Sequence, residues 1–148
     1  MVRGKNILSK YNENKIVIDG YTFDSKVEGK YYEHLKDLKA KEKILNFELQ
    51  PKYILLNKFK YMGKPRQAIT YTPDFLIYHT DGTEELIDVK GMETQQGNMR
   101  KRLFEYRYQN LKLTWIASNY KYGNENGWIE CGELKKIRSK AKKEKKNE

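Results

Sequence analysis

Cysteine is nearly absent from this chain. Cys131 stands alone, so no internal disulfide can form and a disulfide-stapled secreted fold is excluded. Histidine is almost as scarce, and His34 and His79 with one cysteine cannot build a Cys/His zinc ribbon or finger. No apolar run approaches the roughly 20 residues of a membrane span, and the basic N-terminus lacks the apolar stretch of a signal peptide. There is no Walker loop and no GxGxxG string, so nucleotide hydrolysis has no visible site and no nucleotide cofactor is expected. Internal repeats are missing too. These absences point to a soluble chain that works in the cytoplasm, away from membranes.

What is abundant is charge. The 148 residues suit one domain, and 30 Lys and Arg against 20 Asp and Glu give a net +10. Charged residues reach 34%, against about 25% in an average globular chain, so the core is lean. A basic balance favours a polyanionic partner. The charge is uneven, however. Residues 134–148 (LKKIRSKAKKEKKNE) carry eight Lys/Arg and two Glu, a net +6. This divides the chain into a body over 1–133 and a basic, flexible or helical tail over 134–148. The tail reads equally as a phosphate-binding arm and as a solubilising end. Evidence for a nucleic-acid partner must therefore come from the body.

Residues 1–14 are polar and aperiodic and read as frayed. Asp19-Gly20 between Lys15–Ile18 and Tyr21–Phe23 signals a tight hairpin. Ser25 opens a helix whose Val27, Tyr31, Leu35 and Leu38 repeat at helical spacing, to about Lys41. Residues 46–50 and 52–57 read as strands around Pro51, and Gly63–Pro65 as a turn. Arg66–Tyr78 reads as one long strand and Glu84–Lys90 as another, joined at Asp81-Gly82. Residues 97–109 form a basic amphipathic helix with Met99, Leu103, Phe104 and Tyr108 on one side. Residues 111–117 read as a strand, 123–127 as a loop, and Trp128-Ile129 as a last short strand. The order predicts an α/β fold, one central mixed β-sheet flanked by α-helices.

Three carboxylates and a lysine stand out: Glu28 in the first helix, Asp74 before the hairpin, and Asp88 and Lys90 after it. Residues two apart on a strand share a face, so Asp88 and Lys90 lie side by side. A turn centred between Asp81 and Gly82 pairs residue 88 with about residue 75, one step from Asp74. Glu28 can reach the same place from a helix packed on the sheet. Such a set suits a hard cation held by oxygen ligands, which lowers the pKa of a bound water and offsets phosphate charge. A neighbouring lysine orients that water and adds positive charge at the phosphorus. Two bare carboxylates at 4 Å repel by about 4 kcal/mol at an effective dielectric of 20, so the cluster calls for a cation.

Plainer readings exist for each residue. Ser25-x-x-Glu28 is also a capping box. Asp88 and Lys90 can be the solvated side of a half-buried strand. Asp74 is harder to place so, because apolar and aromatic residues surround it and a charge in such a setting is usually paired or metal-bound.

Pro73-Asp74 followed by Asp88-Val89-Lys90 resembles the PD-(D/E)XK nuclease signature, with Asp in the second acidic place. Glu28 resembles the helical glutamate of the Holliday-junction-resolving branch. The strings Phe23–Glu28, Glu48–Pro51, Ile69–Phe75, Asp88–Gly91 and Lys101–Phe104 are together similar to small phage endonuclease-like proteins, over about residues 11 to 117. The resemblance implies a restriction-endonuclease-like core: helix, three-stranded hairpin sheet, helix and strand. It implies Mg²⁺- or Mn²⁺-dependent hydrolysis of DNA phosphodiesters, with Glu28, Asp74, Asp88 and the Val89 carbonyl as metal ligands and Lys90 positioning the water. Lys101 falls near the phosphate, with Gln95 and Gln96 as neighbours. Relatives of this layout cut branched DNA in recombination or replication, often as homodimers, which here implies work in a phage-infected host's cytoplasm.

Lys101, Arg102 and Arg107, with Tyr106 and Tyr108, suit a nucleic-acid groove, or equally the charged outer face of an ordinary helix. His34 reads as structural and Cys131 has no adjacent base to make it a nucleophile. Beside the endonuclease reading stand two others: a non-catalytic DNA-binding module on the same fold, and a basic scaffold protein.

Overall fold

The computed structural model describes residues 14–148. The frayed stretch expected over 1–14 lies, but for Asn14, outside the described residues. The first elements are a hairpin, β1 (Ile16–Ile18) and β2 (Tyr21–Phe23). Asp19 and Gly20 between them take φ of 53° and 81°, the two positive values a type I′ turn requires. Ser25 then caps α1 (Lys26–Ala40), accepting from Glu28 N.

Next come β3 (Ile44–Leu49), β4 (Tyr53–Leu56), β5 (Phe59–Tyr61), β6 (Lys64–Arg66), β7 (Ile69–Tyr71), β8 (Phe75–His79) and β9 (Glu84–Val89). The chain continues through α2 (Gln95–Arg107), β10 (Lys112–Ser118), β11 (Trp128–Glu130) and α3 (Cys131–Lys146).

Five strands form one mixed sheet in the order β11-β10-β9-β8-β3. β8 runs antiparallel to both β3 and β9, α2 makes the crossover, and β10 lies parallel to β9. The expected α/β architecture, a central mixed sheet flanked by helices, is what the chain adopts. α1 covers one face, where Tyr31 and Leu35 meet Phe75, Ile77, Ile87 and Ile116. α2 covers the other, where Phe104 meets Tyr71, Leu76 and Leu86. Leu35, Phe75, Leu86 and Phe104 are fully buried, each worth about 1.5–3 kcal/mol of apolar burial. These few side chains anchor a lean core.

Several boundaries differ from the sequence reading. Arg66–Tyr78 is not one strand. Pro73 lacks an amide hydrogen for a ladder, and the chain breaks at 72–74 between β7 and β8, which pair with different partners. The short ribbon β5–β6 was not anticipated beyond its turn. The basic C-terminal stretch is the helix α3. Its Cys131 and Leu134 are buried and it touches β10 and β11, so the expected 133/134 boundary falls inside an element that belongs to the fold. Among the described residues no helix is long and apolar enough to cross a membrane.

Candidate active site

The middle strand β9 positions the chemistry. Phe75 pairs with Ile87 and Leu76 with Leu86, so the same register carried one step further sets Asp74 opposite Asp88. The sequence reading was one residue out because it centred the turn on Asp81-Gly82. The actual turn is longer, closed by Gly82 N donating to the His79 carbonyl and His79 N to the Thr83 carbonyl. Asp74 Oδ2 accepts from Val89 N at 2.8 Å, which locks the acid across the strand gap. A strand residue turns its N–H and C=O to the same neighbour, so the Val89 carbonyl also faces Asp74.

Asp88 is the one charged residue in the buried core of the described residues, 5% exposed. Its charge is met from two sides. Tyr71 donates its hydroxyl to Asp88 Oδ2 at 2.5 Å, and Lys90 Nζ lies 2.9 Å from the same oxygen. Tyr71 oxygen in turn accepts from Trp115 Nε1 at 3.0 Å. Trp115 is the register partner of Asp88 on β10, and the ammonium groups of Lys90 and Lys101 each lie 4.7 Å from its ring centre. The ring therefore fixes two cations beside one carboxylate pair.

Glu28 comes from the first turn of α1. Its capping role is seen directly. Glu28 Oε2 accepts from Asp24 N at 3.3 Å and Ser25 Oγ accepts from Glu28 N at 3.1 Å, a reciprocal arrangement close to a capping box. Yet Glu28 also lines the same cleft as Asp74, Asp88 and Lys90, a hollow of about 510 Å³. The four side chains singled out in the sequence converge there.

The electrostatics follow from burial. Asp74 is pushed up to about 9, first by desolvation, then by the neighbouring Asp88 and Glu28 carboxylates. Glu28 moves up as well, mainly by desolvation. Tyr71 moves up through burial and the Asp88 charge, so its hydroxyl stays a donor. Among the described residues, no three His, Cys, Asp or Glu side chains stand as a ready-made ion cage. Asp88 is turned to Tyr71 and Lys90, and Glu28 to its own helix start.

The helix α2 closes the cleft. Gln96 and Arg100 line it, and Lys101, outside the lining, lies over the same Trp115 ring that Lys90 meets. Gln95, beside Gln96, does not line it. Arg102 is exposed and outside the lining. Arg107 sits at the far end of the helix over the Tyr108 ring, about 15 Å along the axis from Gly97 at 1.5 Å per residue. Met99 and Leu103, expected inward, are exposed. The inward stripe is instead Gly97, Arg100, Lys101 and Phe104, polar at the cleft and apolar over the sheet. That i, i+3, i+4, i+7 spacing was present in the sequence. A count of apolar residues alone passed over it, and so missed Arg100. Tyr71, Thr70 and Thr72 also line the cleft without having been assigned a role.

A second hollow, about 350 Å³, lies on the α3 side of Lys90 and is bounded by Glu93, Cys131, Lys135 and Arg138. Lys135 pairs with Glu93. Two cations of the basic C-terminal helix thus stand next to the lysine of the site. Burial pushes the Cys131 thiol up, which weakens it as a nucleophile.

Fold and site define an α/β protein with an acidic, lysine-flanked cleft at the carboxyl end of its central strand. The chain belongs to the DUF1064 family of proteins of unknown function, whose family model matches residues 8–124 and takes in Glu28, Asp74, Asp88 and Lys90. No curated protein and no solved structure matches it.

Proposed function

We propose that this protein is a metal-dependent DNA endonuclease of the PD-(D/E)XK type with a restriction-endonuclease-like core. The observation that carries the reading is the shared cleft of Glu28, Asp74, Asp88 and Lys90. The donor set suits Mg²⁺ or Mn²⁺. Three carboxylates and the Val89 carbonyl are all hard oxygens, and burial together with the Asp88 and Glu28 carboxylates pushes Asp74 up, a cost that a bound cation would relieve. Glu28, Asp74, Asp88 and Val89 would hold the ion. When bound, it supplies acidity to water and positive charge at the phosphate.

The chain's own residues do the rest. Tyr71 fixes the Asp88 carboxylate by its short hydrogen bond. Lys90, seated on Trp115, keeps its ammonium at the acidic pair, where it orients the attacking water. Arg100 and Lys101 meet the phosphate backbone from the helix side. The family resemblance extends the proposal to branched or four-way DNA, a homodimer that cuts two strands, and action in the cytoplasm of a phage-infected host.

The test is a panel of linear, flapped and four-way DNAs incubated with the protein and Mn²⁺, Mg²⁺ or EDTA. The reading expects cation-dependent cuts that vanish in EDTA. Intact DNA under every condition, with binding retained, would leave a non-catalytic DNA-binding module. Absence of salt-sensitive binding would leave a scaffold.

A further inference from the structure

From residue 51 to residue 73 the sequence contains no acid and five cations: Lys52, Lys58, Lys60, Lys64 and Arg66. Among the described residues none of the five forms an ion pair. The middle of this segment is the ribbon β5–β6, which pairs only with itself. Residues 56–69 are exposed without interruption, so the ribbon contributes little to the core. Met62 and Gly63 at its tip have φ of 47° and 78°, the sharp turn that keeps a two-stranded ribbon narrow.

The register sorts the side chains. Phe59 pairs with Arg66 and Tyr61 with Lys64, and directly opposed residues share a face. One face therefore alternates rings with cations, and Met62 stands at the tip. Phe59 is 45%, Tyr61 57% and Met62 84% exposed. Such an apolar surface on a self-paired ribbon marks an interaction site.

Charge selects the partner. A second copy of the ribbon would set like charges against each other. A nucleic acid offers phosphates to the cations and bases to the rings. The ribbon also continues into β7, whose Thr70 and Tyr71 line the acidic cleft. Arg66 is five residues from Tyr71, at most about 17 Å of extended chain, so one DNA can meet both.

We infer that the β5–β6 ribbon is a DNA-engaging arm whose aromatic and cationic face grips the substrate beside the cleft, the rings stacking on bases unstacked at a branch point. The inference rests on the DNA reading proposed above.

Its test is fluorescence anisotropy with labelled duplex and four-way DNA in EDTA, at several salt concentrations. Two variants of the full chain are compared with wild type: Lys64→Ala/Arg66→Ala and Phe59→Ala/Tyr61→Ala, each checked by thermal melting and sedimentation. The charge variant should bind both DNAs more weakly and lower the salt slope by about 2. The ring variant should lose about tenfold or more on four-way DNA and stay within about twofold on duplex. Variants that keep wild-type affinity and slope would overturn the arm while leaving the nuclease reading standing. A change of oligomeric state with unchanged DNA affinity would overturn it in favour of self-association. Wild-type protein that binds neither DNA would overturn both readings together.

Discussion

Tyr71 and Asp88 are 17 residues apart, yet the Tyr71 hydroxyl donates to Asp88 Oδ2 at 2.5 Å, inside the buried heart of the cleft. Tyr71→Phe removes the donor and leaves a buried carboxylate to Lys90 alone. It should cost about 1–3 kcal/mol of stability, read by denaturant unfolding. It should also raise the Mn²⁺ concentration for half-maximal cutting about 10–100-fold, as losses around metal ligands do. An unchanged metal requirement would make Tyr71 a packing residue only.

The acidic pair sets a second expectation. The Asp74 carboxyl stands near 9 in the folded protein and near 3.8 when free. Its folded value is therefore raised, so the folded chain holds a proton that the unfolded chain releases. The stability this gives is full below about pH 4 and is lost as pH rises toward 9. In EDTA the wild-type Tm should fall across that window from this group. Asp74→Asn keeps an acceptor for Val89 N and removes the charge. It should flatten the fall and raise stability at pH 8 by about 1–3 kcal/mol, while abolishing cutting. Thermal melts at a series of pH values measure it, and an equal fall in both proteins would contradict the assignment.

Position along α2 separates its cations. Arg100 lines the cleft and Lys101 lies over Trp115, whereas Arg107 is at the opposite end of the helix. Lys101→Ala should lower DNA affinity and reduce the salt slope by about 1, with a comparable effect for Arg100→Ala. Arg107→Ala should match wild type. Filter binding at three ionic strengths distinguishes them, and a large Arg107 effect would move the DNA path along the helix.

Local chemistry made much of this legible in advance. Asp19-Gly20 announced its turn, Ser25 its helix, and runs of Thr, Tyr, Ile and Phe its strands. The two-residue spacing of Asp88 and Lys90 placed both on one face, and the hairpin brought Asp74 near. What escaped was set by tertiary context. The extra turn residues moved the β8–β9 register by one, which only the paired backbone reveals. Pro73 ended a stretch whose Thr, Tyr and Ile read as one strand. Met99 and Leu103 looked like core, but the helix turns Arg100 and Lys101 inward because a cleft lies beneath them. Tyr71 lay unassigned in the strand because its partner, Trp115, is 44 residues away. The ribbon went unnoticed because its rings and cations alternate without a core to face.

The most direct measurement is single-turnover cleavage of four-way DNA by wild type, Asp88→Ala and Lys90→Ala in Mn²⁺, with binding followed in parallel. The account predicts cutting by wild type alone, stopped by EDTA, and wild-type-like binding by both variants. Cutting that survives in Asp88→Ala, or wild-type protein that binds the DNA and never breaks it, would contradict it.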